Sequence, residues 1–117
     1  MTDAETILRR EFSAEEGSFL LQLRVELVWD REAFSRLTKA MLDYVRTLED
    51  RESLPRWAAE GFWYLSGVVR DWSTHANFPR RHPEAYYQAA CERLDLLADW
   101  LFTGVCPLEN GADFEPI

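Results

Sequence analysis

Residues 55–72 read PRWAAEGFWYLSGVVRDW and carry most of the hydrophobic weight of the chain. Pro55 suits the first turn of a helix, where its missing N–H is not needed. At about 100° per residue, the apolar side chains form one stripe that is wide enough to face a core. The members of this stripe are Ala58, Phe62, Leu65, Val69 and Trp72. The pattern predicts the central helix of a small helical protein.

The opposite side of this helix carries a tryptophan among small residues, which is unusual for a face in water. Its members are Ala59, Trp63, Ser66, Gly67 and Arg70. Small residues let another element approach closely, although glycine inside a helix costs about 1 kcal/mol relative to alanine. Two interpretations stay open at this stage. Either another chain covers Trp63, or Arg70 and the N-terminal segment of the same chain half-cover it.

The rest of the chain predicts further helices around this central one. A length of 117 residues is typical of one domain with its own core. We expect a single all-α domain over 1–117, an antiparallel four-helix bundle with a short extra N-terminal helix. The predicted helices span 3–11, 14–28, 31–50, 55–72 and 83–102. The tail at 103–117 is either loose or lies on the bundle.

Two periodicities overlap in the helix predicted at 14–28. Ser13 and Glu16 form a capping-box signature just before an apolar run, which favours a helix. Residues 20–29 also alternate as a strand does. We prefer the helix, since a lone strand leaves its backbone groups unpaired. Asp30 then predicts the start of the next helix as its N-cap.

Composition limits the classes of partner. The net charge is −8 and the pI about 4.7, so nucleic acid is not expected as a partner, because phosphates require a basic surface. No run approaches the ~20 apolar residues of a membrane span, so no membrane partner is expected either. The first residues are charged and do not resemble a signal peptide. With Cys91 and Cys106 taken as free thiols, this predicts a cytoplasmic protein.

Basic residues gather in one place, around the loop that precedes the helix at 83–102. They are Arg70, His75, Arg80, Arg81 and His82. A helix N-terminus favours an anion, and arginines bind phosphate or carboxylate with forked hydrogen bonds. These residues are the candidate anion site, with Trp72, Phe78 and Tyr86 as apolar walls. The alternative is a solvated loop whose arginines pair with nearby acids.

The sequence offers no pattern for a metal, a cofactor or a catalytic group. A di-metal bundle requires Glu-x-x-His pairs, which this chain lacks. Nucleophilic catalysis requires a base near the nucleophile, and the helix of Cys91 contains no histidine. We therefore expect no cofactor, no metal and no catalytic residue, and we do not expect an enzyme.

The leading prediction is a protein-interaction module that self-associates, as a homodimer or other homo-oligomer. Its interface residues are Ala59, Trp63, Gly67 and Arg70, because tryptophan and arginine often anchor interfaces. We expect Leu21, Val25 or Val28 to extend the same apolar patch.

Two alternatives remain. One is an acidic inhibitor or immunity protein for a basic protein partner such as a nuclease. It rests on the net charge and on an acidic row made of Glu92, Asp95, Asp99, Glu109, Asp113 and Glu115. The other is a small anionic-ligand-binding protein or enzyme that uses the 70–82 loop.

Overall fold

The structure is a computed structural model that describes residues 3–48, 52–108 and 112–117. In chain order its elements are α1 (Ala4–Phe12), α2 (Phe19–Leu21), a π-helix (Gln22–Glu26), α3 (Arg31–Thr47), α4 (Arg56–Thr74) and α5 (Glu84–Thr103). The described ranges contain no strand, so the all-α prediction is confirmed. The strand alternative within 20–29 is wrong.

Most helix bounds lie within one or two residues of their predicted positions. The helix predicted over 31–50 ends earlier, at Thr47, and residues 49 and 50 lie outside the described ranges. Among the described helices, none combines the length and the apolar character needed to cross a bilayer.

The helix predicted over 14–28 is the main error. Ser13 does not begin a helix but ends α1, and the chain then turns before α2 starts at Phe19. Two residues in this turn have positive φ, Ala14 at 53° and Gly17 at 86°. A continuous helix cannot pass through these left-handed conformations, so the predicted segment is broken at its start.

The start of α2 depends on a residue far back in the chain. The Ser18 hydroxyl accepts a hydrogen bond from Leu21 N at 3.2 Å, which is an ordinary cap. The Glu11 carboxylate accepts from Phe19 N at 3.0 Å and is itself buried. Because Glu11 belongs to α1, this second cap forms only when α1 packs against the turn. A local sequence pattern cannot reveal it.

The start of α3 is as predicted. Asp30 Oδ1 accepts hydrogen bonds from Glu32 N and Ala33 N at 3.0 and 3.1 Å. The ring centroids of Trp29 and Phe34 lie 5.3 Å apart, which is the expected contact across the cap. The seam of α3 enters the core, since Phe34, Leu37, Met41 and Tyr44 are all buried.

Helices α4 and α5 pack side by side in opposite directions. Arg70 contacts Asp95, and further along α4 the Ser73 side chain contacts Cys91, which lies earlier in α5. Elsewhere α1 packs on α3, and α3 packs on α5. The predicted antiparallel four-helix bundle is not established by these contacts, because the predicted member at 14–28 is replaced by a short, irregular segment.

The described part of the tail, 112–117, lies across α3 and α5. Arg46 Nη1 donates to Asp113 Oδ1 at 2.9 Å and Nη2 donates to the Ala112 carbonyl. The Arg93 guanidinium lies over the Phe114 ring, 5.0 Å from its centroid. These contacts place Phe114 beside α5.

Candidate interaction surface

Large apolar side chains remain exposed on both sides of α4. Trp63 is 68% exposed and Val25 is 71% exposed. Among the described residues, the exposed large apolar side chains are Val25, Leu27, Val28, Trp63, Tyr64, Phe102 and Val105. The described residues of the chain therefore do not cover the Trp63 indole. The interpretation that another chain covers it stays open.

The four predicted interface residues lie on one side of α4, which we call the Trp63 face. Trp63, Gly67 and Arg70 are exposed, and Ala59 is half-buried. A Cβ atom placed on Gly67 would meet nothing within 4 Å. The fold itself therefore gives no steric reason for a glycine at this position.

Arg70 is held in place on this face by α5. Its Nη2 donates to Asp95 Oδ2 at 2.7 Å, and this carboxylate raises the pKa of the Arg70 guanidinium. Because both side chains are partly exposed, the pair contributes at most about 1 kcal/mol to stability. Its main consequence is to orient the guanidinium, whose remaining N–H groups face solvent.

Phe102 extends the Trp63 face onto α5. Arg70 and Asp95 lie at the same level, and the two helices are antiparallel. A residue that precedes Arg70 on α4 is therefore level with the residue that follows Asp95 on α5 by the same number of positions. This register places Phe102 level with Trp63, and Phe102 is 47% exposed. Exposed aromatic side chains therefore occur at the same level on both helices.

The predicted extension of the Trp63 patch by Leu21, Val25 or Val28 is not what the structure shows. Leu21 and Val25 line a cavity of about 310 Å³ with Trp72. From Trp63 to Trp72 the helix makes about two and a half turns, so these two rings point to opposite sides of α4. The apolar residues of the π-helix belong to the second side.

That second side contains a groove around Trp72. The cavity of about 310 Å³ adjoins another of about 430 Å³, with Trp72 in the wall of both. The larger cavity is lined by Leu27, Asp71, Trp72, His75, Asn77 and Phe78. We call these two cavities together the Trp72 groove.

The backbone beside the Trp72 groove is strained. Leu27 ends the π-helix with a φ of 55°, a left-handed conformation that is uncommon for leucine. This turn leaves Val25, Leu27 and Val28 exposed together. π-Helices and strained residues recur at functional sites, which makes this groove a second candidate surface. Sequence periodicity gives no signal for it.

The candidate anion-site residues do not converge. Arg80 pairs with Glu84 and its guanidinium lies 4.3 Å from the Tyr87 ring centroid. His75 Nδ1 accepts a hydrogen bond from Asn77 N at 3.1 Å. Both side chains therefore have partners within the same loop and helix start.

The remaining members of that set are also separate. His82 Nε2 lies 3.2 Å from the Trp29 carbonyl, and Arg70 pairs with Asp95. Arg81 donates its backbone N–H to the Tyr87 hydroxyl at 3.0 Å. Of the predicted basic and aromatic residues, only Trp72, His75 and Phe78 share the larger cavity of the Trp72 groove. Its wall is apolar and contains no arginine.

The acidic row is partly neutralised by the chain itself. Asp95 pairs with Arg70, and Asp113 pairs with Arg46. Glu92 and Asp99 are exposed on α5, whereas Glu109 lies outside the described residues. The row therefore presents fewer free carboxylates than its sequence suggests.

A cleft of about 720 Å³ lies between α1, the following turn and α3, and no sequence pattern predicted it. Arg10, Glu11, Arg36 and Lys39 are in its wall. Burial raises the pKa of Glu11, while its hydrogen bond from Phe19 and the charge of Arg36 act in the opposite direction. Since Lys39 pairs with Asp43, the cleft contains mixed charges and does not select one ligand sign.

Metal and nucleophile chemistry find little support in the described residues. Within those ranges no three His, Cys, Asp or Glu side chains are grouped to hold a metal ion. Burial raises the pKa of the Cys91 thiol, although Arg70 nearby partly offsets this. A raised pKa lowers the thiolate fraction, so Cys91 is a weak nucleophile.

No protein-family model, no curated protein and no solved structure matches the chain. The two surfaces of this chain that could bind a partner or ligand are the Trp63 face and the Trp72 groove.

Proposed function

We propose that this chain is a small helical protein-interaction module that self-associates through the Trp63 face. The observation that supports the proposal is the 68% exposure of Trp63 in the middle of a long helix. A large indole in water keeps apolar area that burial against a partner would stabilise at roughly 25 cal/mol per Å². Tryptophan and arginine are also the residue types that most often dominate binding energy.

The surroundings of Trp63 favour a protein partner over other classes. Phe102 adds apolar area beside it, and Arg70 supplies an oriented cation at the edge. An apolar centre with a polar rim is the usual anatomy of a protein interface. The net charge of −8 disfavours nucleic-acid phosphates as the partner of such a surface.

Sedimentation over a concentration series tests this function. We expect the wild type to pass from monomer to dimer, and Trp63→Arg to remain a monomer with unchanged circular dichroism. Val25→Arg is the matched control, because Val25 is equally exposed but lies on the other side of α4. A wild type that stays monomeric at its highest soluble concentration would contradict self-association. Equal loss in the control would contradict the role of the Trp63 face.

A second candidate function is the binding of a small apolar ligand in the Trp72 groove. The larger cavity, about 430 Å³, falls within the size range of ligand sites, and its wall is mainly apolar. The absence of arginine from that wall favours an apolar ligand over the anion predicted from the sequence. A fluorescent apolar probe should bind the wild type and lose affinity in Leu27→Asp, but not in Val105→Asp. Binding that is unchanged by Leu27→Asp would exclude this groove.

A further inference from the structure

The solvent side of α4 carries a regular seam of exposed residues. Successive members are four and three residues apart in alternation, the spacing that keeps side chains in line along a helix. The seam consists of Arg56, Glu60, Trp63, Gly67, Arg70 and Thr74, and all six are exposed. An exposed line of this spacing can meet a second helix along its whole length.

When two copies of this seam lie antiparallel, residues of complementary size or charge face each other. In two antiparallel helices related by a two-fold axis, residues at equal distances on either side of the axis meet. An axis midway between Trp63 and Gly67 places each Trp63 against Gly67 of the partner subunit. The same axis places Glu60 against Arg70 of the partner subunit. Arg56 then meets Thr74 of the partner subunit at each end.

We infer that two copies of this chain pair α4 against α4 in this antiparallel register. The inference rests on the proposed self-association and adds to it the orientation, the register and the contacts. It commits to a second copy as the partner, because the seam of α4 itself presents both members of each complementary pair.

Trp63 and Gly67 are complementary in size. A glycine in the middle of a helix lowers helix propensity, and a Cβ atom here would meet nothing within 4 Å. The monomer therefore gains nothing from this glycine. In the paired register it leaves room for the partner's indole, which projects from the same face one helical turn away. The projecting Trp63 and the space beside Gly67 lie on the same surface, as a two-fold interface requires.

Glu60 and Arg70 are complementary in charge. Glu60 is exposed, and none of the ion pairs among the described residues includes it. Arg70 uses Nη2 for Asp95, which fixes its orientation and leaves further donors free. Antiparallel pairing forms the Glu60–Arg70 contact twice. Parallel pairing in register would oppose Glu60 to Glu60 and Arg70 to Arg70, so charge selects the antiparallel orientation.

The extent of the seam sets the expected strength of the dimer. Helix α4 has 19 residues and is therefore about 28 Å long. One helix pair with Phe102 at its edge buries less than the ~800 Å² per partner of a standard interface, so we expect a weak, micromolar dimer.

Charge reversal tests the register directly. We measure dimer dissociation constants by sedimentation equilibrium for Glu60→Arg, for Arg70→Glu and for the double variant. Each single reversal opposes like charges and should weaken the dimer at least tenfold, whereas the double variant should return to within about threefold of wild type. Glu26→Arg makes the same charge change in the π-helix, whose neighbouring Val25 lines the cavity with Trp72 on the other side of α4, and should have little effect.

Gly67→Leu supplies a test that does not depend on charge. The monomer has space for the side chain, so thermal unfolding should be no lower than in wild type. The dimer should weaken at least tenfold, because leucine occupies the space of the partner's Trp63. Arg70→Glu also removes the Asp95 pair, and thermal unfolding of that variant checks that the fold persists.

The outcomes separate this inference from the proposed function. A wild type that dimerises but is insensitive to both charge reversal and Gly67→Leu overturns the register and leaves self-association standing. A double reversal that fails to recover overturns the Glu60–Arg70 contact. A wild type that is monomeric at every concentration overturns both.

Discussion

Helix α4 contains two glycines that serve opposite purposes. At Gly61 a Cβ atom would lie 2.2 Å from Phe12 Cδ2, so the close approach of α1 depends on the absence of a side chain. At Gly67 a Cβ atom would meet nothing within 4 Å. Internal packing therefore explains Gly61 but does not explain Gly67. The comparison shows which side of α4 belongs to the fold and which side is free for a partner.

The surroundings of the two glycines differ in the same way. Phe12 packs with its ring centroid 6.0 Å from Trp57 and 5.9 Å from Phe62, which anchors α1 to the start of α4. Beside Gly67, in contrast, Trp63 is exposed. An aromatic cluster closes one end of the helix, whereas the aromatic ring next to the second glycine has no ring partner among the described residues.

The largest effect on stability is expected for Gly61→Ala. The new methyl group overlaps the Phe12 ring, and overpacking of this kind costs about 1–3 kcal/mol. Alanine has a higher helix propensity than glycine, which offsets part of this cost. We therefore expect the free energy of unfolding to fall by about 1–2 kcal/mol. Chemical denaturation measures it. The double variant Phe12→Leu/Gly61→Ala should lose less than the two single variants together, and strict additivity would contradict the proposed contact.

The opposite sign is expected for Gly67→Ala. An exposed helical glycine replaced by alanine raises the free energy of unfolding by up to about 1 kcal/mol, since nothing crowds the methyl group. Denaturation at concentrations where the chain is monomeric measures this gain. A loss of stability there would mean that Gly67 is constrained within the monomer, and the contrast with Gly61 would no longer hold.

A smaller effect concerns the pH dependence of the packed side. Burial raises the pKa of Glu11 above its ordinary value of 4.5, so the folded state holds this proton more tightly than the unfolded chain. The stability that Glu11 contributes is complete below that ordinary value and is lost as the pH rises through the raised, folded value.

Glu11→Gln removes this titration while its amide oxygen still accepts from Phe19 N. We expect the free energy of unfolding of the variant to rise relative to that of wild type as the pH rises from 4.5 to neutral. Urea denaturation at several pH values measures this difference. The exposed Glu15→Gln serves as the control. A difference between Glu11→Gln and wild type that does not vary with pH would contradict the assignment.

Local signals in the sequence were sufficient for the longer helices. Asp30 caps the start of α3, and its buried residues recur every three or four positions. Gly104 ends α5 in a left-handed conformation with a φ of 76°, which glycine adopts readily. Each of these signals acts within one or two helical turns, so their positions follow from neighbouring residues. The predicted Trp63 face was likewise readable from its spacing, although its role as an interface stays a prediction.

The segment from Ser13 to Leu27 was not predictable in this way. The start of α2 uses the side chain of Glu11, and the backbone turns through positive φ at Ala14 and Leu27, where neither residue type signals it. The candidate anion-site residues do not converge for a related reason. Arg70 pairs with Asp95 on α5, whereas His82 contacts the Trp29 carbonyl, and neither partner is close to them in the sequence.

The amino-acid sequence by itself determined the helical class, the start of α3, the bounds of α4 and α5 to within two residues, and the presence of more apolar faces than one core requires. These properties follow from periodicity and capping, which operate between neighbouring residues. Tertiary structure alone decided which apolar residues stay outside, because burial depends on segments that are distant in the sequence. It covers Gly61 with Phe12, leaves Gly67 open beside Trp63, and directs Val25 toward Trp72.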